Sequence, residues 1–153
     1  MQLYKYYQIT GGEEKWSPIQ AEVDLTDKRP TFVTILALDK ILEKDTPKEI
    51  IEATKYIGPL YFDLDSDELE ASIEDSKELV SKLLDYGLKE GDLRLYLSGK
   101  KGLHILVDEK CFMGKVAPVL RLPDVYKEIA FKLAVPSLDL RVYTAKRGRM
   151  LRT

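Results

Sequence analysis

The sequence predicts an α+β fold built on a β-α-β-β-α-β unit, the ferredoxin-like or split βαβ arrangement. Three observations predict it. Two stretches recur at helical spacing, apolar at every position but Ser76: Leu69, Ile73, Ser76, Val80 and Leu83, then Val125, Ile129 and Leu133. Four short stretches around them alternate in the manner of strands: Leu60 to Asp65, Leu93 to Ser98, Gly102 to Asp108 and Leu138 to Thr144. The second and third of these are joined by the short turn GKKG, which makes them a hairpin.

Ahead of this unit, LYKYYQI and TFVTILAL read as strands, the second following a DKRP turn. Thr46-Pro47-Lys48-Glu49 has the form of a capping box with proline at the first helical position, so a helix is expected from there to about Tyr56, ending near Gly58-Pro59. Residues 1–58 are therefore expected to form a small N-terminal α/β flanking module. Residues 59–153 form the ferredoxin-like core. Right-handed crossovers give its strands the order four-one-three-two, with the helices over one face.

Composition narrows the function. A chain of 153 residues, 44% hydrophobic and 33% charged, is long enough for a real core and typical of a soluble globular protein. One cysteine, Cys111, and one histidine, His104, can build neither an internal disulfide nor a Cys/His zinc module. No apolar run is long enough to span a membrane, and the N-terminus lacks the parts of a signal peptide, so a cytoplasmic location is expected. A net charge of −2 argues against a general polyanion binder. The charge is unevenly spread, however. No acid follows Asp139, whereas Arg141, Lys146, Arg147, Arg149 and Arg152 do.

Strand alternation sorts the unusual residues onto one face. Leu60, Phe62 and Leu64 share the apolar face, and Tyr61, Asp63 and Asp65 the other. The same division puts Ser98, His104 and Asp139 on the polar face. Strand directions then bring Asp63, Asp65, His104, Asp139, Ser98, Lys100 and Lys101 to one edge of it. Two carboxylates about 6.5 Å apart repel by about 2.5 kcal/mol at an effective dielectric near 20. A divalent cation removes that repulsion. Oxygen ligands suit Mg²⁺ or Mn²⁺, and a two-metal site of this kind clamps the oxygens of a phosphoryl displacement. Each feature alone has an ordinary explanation: a helix-capping turn for Asp-x-Asp, a structural histidine, an exposed hairpin for GKKG, an Asp139–Arg141 pair. Their convergence from separate strands favours a site.

These residues resemble the motifs of the archaeo-eukaryotic primase superfamily, the catalytic small primase subunit and primase-polymerases. LYFDLDS (60–66) is similar to that family's Asp-x-Asp strand, SGKKGLH (98–104) to its Ser-Gly-basic-basic-Gly-x-His turn, SLDLRVY (137–143) to its later aspartate strand, and RMLRT (149–153) to its terminal basic motif. The resemblance implies an RRM-like core carrying out metal-dependent nucleotidyl transfer, as a DNA primase or primase-polymerase making RNA or DNA primers. It implies Asp63, Asp65 and Asp139 as ligands of two Mg²⁺ or Mn²⁺ ions. Ser98, Lys100, Lys101, His104, Arg149 and Arg152 would bind the nucleotide. Nucleoside triphosphates and a single-stranded DNA template follow as partners, with a helicase, a large primase subunit or further domains beside them. Relatives commonly continue to another histidine, which implies a fragment of a longer protein.

Two alternatives belong to other classes. YFDLDSDE also resembles the Asp-x-Asp strand end of haloacid-dehalogenase-like phosphatases, but no later acidic pair accompanies it and SGKKGLH is left unexplained. A non-catalytic RRM-like nucleic-acid-binding module would stack bases on central aromatics such as Tyr61, but acids occupy the centre of that face.

Overall fold

The computed structural model describes residues 1–9, 16–144 and 150–152. In chain order its elements are β1 (Tyr4–Gln8), β2 (Ser17–Gln20), β3 (Phe32–Thr34), β4 (Ala37–Leu38), α1 (Lys48–Glu52), β5 (Lys55–Ile57), β6 (Leu60–Asp65), α2 (Leu69–Asp85), β7 (Leu93–Ser98), β8 (Gly102–Val107), β9 (Val119–Leu120), α3 (Leu122–Lys132) and β10 (Met150–Arg152). Three helices and antiparallel sheets make an α+β protein compatible with the ferredoxin-like unit. Two compact units divide the chain. One holds Met1–Gly58, Ala117–Pro123 and the described residues beyond Tyr143; the other holds Pro59–Val116 and Asp124–Tyr143.

The first unit is a sheet in the order β10-β3-β1-β4-β5-β9, with β2 also paired to β1. Its core includes Tyr6, Leu36, Leu38 and Leu42, all at most 2% exposed. The Tyr6 hydroxyl donates to the Leu42 carbonyl at 3.0 Å, and the Thr34 hydroxyl accepts from the Tyr6 N–H at 3.0 Å. The expected capping box at Thr46 does not form. Pro47 stands at the N-cap, and the Thr46 hydroxyl accepts from the Glu43 N–H at 2.7 Å instead. The helix stops at Glu52, because Lys55–Ile57 pair with both Ala37–Leu38 and Val119–Leu120.

The second unit is a three-stranded antiparallel sheet in the order β6-β8-β7. The expected fourth strand is present only as a single antiparallel bridge, Leu138 to Leu64; Leu140–Tyr143 form a 3-10 turn. The order four-one-three-two survives with its outer strand cut to one bridge. The physical reason is local. An Asp139 carboxylate oxygen accepts the Arg141 N–H at 2.9 Å, and such side-chain-to-backbone bonds compete with a ladder.

The helices turn inward stripes that match the periodicity only in part: Ser76, Leu83 and Leu133 are buried as expected, while Leu69, Ile73, Val80 and Ile129 are only half-buried. On α2 the buried residues are Ser72, Ser76, Leu79 and Leu83. On α3 they include Leu122, Tyr126 and Ala130, while Val125 is exposed. α2 packs on β6 and β8. Leu95 and Leu97 on the edge strand β7 are left 50% and 71% exposed, contrary to the expectation of a fully covered apolar face.

The face that carries the acids is closed at its base. Tyr61 is 1% exposed, stacked on Tyr143 with ring centroids 4.9 Å apart and edge-on to Tyr126 at 5.9 Å. The Tyr143 hydroxyl donates to the Tyr61 carbonyl. We expect Tyr143→Phe to lose about 1 kcal/mol through that hydrogen bond. Tyr143→Ala should lose about 3–5 kcal/mol through the vacated stack. Urea unfolding followed by tyrosine fluorescence measures both, and equal loss in the two variants would contradict the packing role.

Candidate active site

β6 is the strand that organises the site. Its residues pair in register with β8: Asp63 with His104 and Asp65 with Gly102. β8 pairs in turn with β7: His104 with Tyr96 and Gly102 with Ser98. On the other side of β6, the Leu64–Leu138 bridge is flanked by two backbone bonds. Asp139 N–H donates to the Asp63 carbonyl at 2.9 Å, and Asp65 N–H to the Ser137 carbonyl at 2.9 Å. Asp139 therefore stands opposite Asp63. Directly opposite residues of an antiparallel pair share a face, with Cβ atoms about 4.5–5.5 Å apart. The result is a row across the sheet, Asp139–Asp63–His104–Tyr96, with Asp65, Gly102 and Ser98 in the next row on that face.

Each inner acid has a basic neighbour. The Asp63 carboxylate lies 3.1 Å from His104 Nε2, with both side chains about nine-tenths buried (8% and 11% exposed). That approach lacks hydrogen-bond geometry, so Nε2 is a buried nitrogen with no hydrogen-bonded partner among the described residues. Asp139 is gripped by Arg141, whose Nε and Nη2 donate to its two oxygens at 3.0 and 3.1 Å. The hydrogen bond to Asp139, then the charges of Asp139 and Asp65, push the Arg141 guanidinium pKa above its ordinary value. Asp65 is exposed at the strand end.

The basic turn is held by the start of α2. Gly99 has φ 68°, a left-handed conformation that glycine adopts without strain, and Lys100 and Lys101 project exposed from the turn. The Ser72 hydroxyl donates to the Lys101 carbonyl at 2.8 Å and meets the Ser66 hydroxyl at 2.9 Å. A matching anchor holds the Asp139 segment: Asp75 accepts the Ser137 N–H at 2.8 Å and the Ser137 hydroxyl as well. Sequence reading missed Ser72, Asp75 and Ser137. The available signal was two serines four residues apart on the buried stripe of α2.

Of the residues singled out from sequence, Asp63, Asp65, His104, Asp139 and Ser98 lie together in these two rows, with Lys100 and Lys101 on the adjoining turn. Arg152 lies on β10, opposite Phe32 in the first unit's sheet. Arg149 lies outside the described residues. No group of three or more His, Cys, Asp or Glu side chains forms a metal-ligating cluster among the described residues. The donors suit a hard divalent cation in type and in backbone placement. In this arrangement, however, Asp63 faces His104 and Asp139 faces Arg141. No helix among the described residues is long and apolar enough to cross a membrane.

Gly102 keeps the second row open. A Cβ there would meet the Ser98 carbonyl at 3.0 Å, the Leu64 carbonyl at 3.1 Å and Ser98 Cβ at 3.3 Å. Backbone atoms cannot yield as a flexible side chain would. Gly102→Ala should cost about 1–3 kcal/mol as the strands shift. Gly91→Ala, where nothing lies within 4 Å, should stay within about 0.5 kcal/mol. Thermal unfolding of the two variants side by side tests this, and equal tolerance would refute the steric argument.

The chain is similar to the DNA primase small subunit PriS of Thermoplasma volcanium, with 37% identity over 82 residues. The aligned stretch covers 44% of this chain and 23% of that relative. The chain thus spans about a quarter of the relative's length. This similarity bears out the resemblance to the archaeo-eukaryotic primase catalytic subunit read from the motifs. No family model and no solved structure matches the chain.

Proposed function

We propose that this chain is the catalytic core of a metal-dependent nucleotidyltransferase, a DNA primase or primase-polymerase that adds nucleotides from nucleoside triphosphates on a single-stranded DNA template. The observation that carries the reading is the row in which Asp63 has Asp139 on one side and His104 on the other. The similarity to a primase small subunit supports it independently.

Asp63, Asp65 and Asp139 would hold Mg²⁺ or Mn²⁺. Such ions, when bound, supply a Lewis acid that draws charge from the reacting phosphate oxygens. The rest falls to side chains of this chain. In nucleotidyl transfer a hydroxyl of the primer or first nucleotide gives up its proton to solvent and its oxygen attacks the α-phosphorus. The bond to the bridging oxygen breaks, and pyrophosphate leaves with its electron pair. Lys100 and Lys101, on a turn fixed by Ser72, would bind the triphosphate and offset the negative charge that leaves with pyrophosphate. Ser98 would donate a hydroxyl beside them. His104 would turn its buried Nε2 from Asp63 to a phosphate oxygen once cations neutralise that acid. Arg149 and Arg152 are carried over as phosphate contacts from the family resemblance alone. A large primase subunit, a helicase or further domains would complete the template grip.

The two alternatives fare worse. A base-stacking module needs an exposed central aromatic, and Tyr61 is buried beneath Tyr126 and Tyr143. A phosphatase reading leaves the glycine-flanked basic turn and His104 without a task.

Primer extension with Mn²⁺ tests the proposal. Asp63→Ala and Asp65→Ala should each lower nucleotide addition by at least about a hundredfold, the scale of a lost charge-stabilising group, with the circular dichroism spectrum unchanged. Full activity in either variant would sink it. In the same assay His104→Ala should weaken nucleotide binding more than template binding, read as separate affinities. Loss of template binding alone would remove His104 from the phosphate site.

A further inference from the structure

Among the described residues, Arg141 engages both oxygens of an acid in the row. Its backbone N–H and its Nε both reach Asp139 Oδ1, at 2.9 and 3.0 Å, and Nη2 reaches Oδ2 at 3.1 Å. The side chains differ sharply in exposure. Asp139 is 21% exposed and Arg141 is 91% exposed. An arginine this exposed has little packing to resist its leaving. Exposed pairs are individually weak, and a bidentate fork is at the stronger end of that range.

The fork takes three of the four lone-pair sites of the Asp139 carboxylate, so a divalent cation meets an acid already engaged by the arginine. Oδ1 already accepts two N–H groups, and Oδ2 accepts a third. The negative charge of Asp65 also acts on the guanidinium. A cation thus already neutralises this end of the acid row, and it comes from the chain itself.

The geometry points to Arg141 as a place-holding cation: it closes Asp139 while the site lacks metal, gives way when a divalent ion binds, and then pairs with the phosphates of the incoming nucleotide. This rests on the reading of Asp63, Asp65 and Asp139 as a metal site. The exchange is one of non-covalent partners. Asp139 trades a guanidinium for a metal ion, and the guanidinium trades a carboxylate for phosphate oxygens of the same charge sign. Arginine suits both partners, because its planar fork fits carboxylate and phosphate alike.

The test is a titration of the intact chain with Mn²⁺, following the free ion by electron paramagnetic resonance, without nucleotide and then with a non-hydrolysable nucleoside triphosphate. Arg141→Gln should bind Mn²⁺ about threefold to tenfold more tightly than the parent, since the competing fork is gone. With Mn²⁺ present it should bind the nucleotide more weakly by a similar factor. Arg141→Lys keeps the charge and loses the fork. Its Mn²⁺ affinity should lie between those of the parent and Arg141→Gln; an affinity equal to the parent's would reduce the effect to charge repulsion and overturn the place-holding role. If the parent binds Mn²⁺, Asp139→Asn weakens it and Arg141→Gln leaves both affinities unchanged, Arg141 is an ordinary surface pair and only this inference falls. If the parent and Asp139→Asn bind Mn²⁺ equally, or neither binds it, the acid row is not a metal site and the underlying reading falls with it.

Discussion

The register of β6 is the constraint on which the site depends. Its residues Leu60 to Leu64 are all buried, so neither face is free to slip past its neighbours. A slip of one residue would put Asp63 where Phe62 or Leu64 now packs and turn the acids into the apolar interior. The pairing with β8 runs unbroken from Leu60–Val107 to Asp65–Gly102, and that run fixes which side chain meets which. Asp63 faces His104 because Phe62 and Leu64 must be buried. The chemistry of the row is thus held in place by the hydrophobic demand of the residues between.

Flanking segments are tied to that strand by polar anchors that take no part in the row. Asp75 on α2 holds Ser137, which places Asp139; Ser72, one turn earlier, holds the carbonyl of Lys101. One helix therefore sets both the third acid and the basic turn. Tyr143 closes the far side by stacking on Tyr61 and donating to its carbonyl. Buried polar groups of this kind are costly when unpaired, so they define one arrangement strongly. They also explain why serines stand on a buried helix stripe where aliphatic residues would pack as well.

Electrostatics give the row its present form. Carboxylates on one face of adjacent strands repel, and here the Arg141 guanidinium offsets that repulsion at Asp139. Asp63 has an imidazole beside it and Asp139 a guanidinium. An acid row of this kind has two ways of being neutralised, by its own bases or by cations from solution, and they compete for the same oxygens.

Much of this was legible in the sequence. The limits of β6 and β7, and of β8 to within one residue, followed from alternation and the GKKG turn. So did the sharing of one face by Asp63, Asp65, His104 and Ser98, because a period of two admits no other assignment. Leu69, the first residue of the helical repeat, is also the first residue of α2. The outer strand was misread because Leu138 to Thr144 alternates correctly yet Asp139 bonds its own chain at Arg141, a choice that pattern alone does not reveal. The inward stripes of α2 and α3 were only partly read, because serine and alanine can be buried cheaply once a partner or a close neighbour is present. The sequence by itself determined which residues share a face, since that depends only on local backbone geometry. That His104 meets Asp63, and that α2 holds both the basic turn and the Asp139 segment, only the tertiary structure decided, because those contacts join residues up to 62 positions apart whose meeting no local rule encodes.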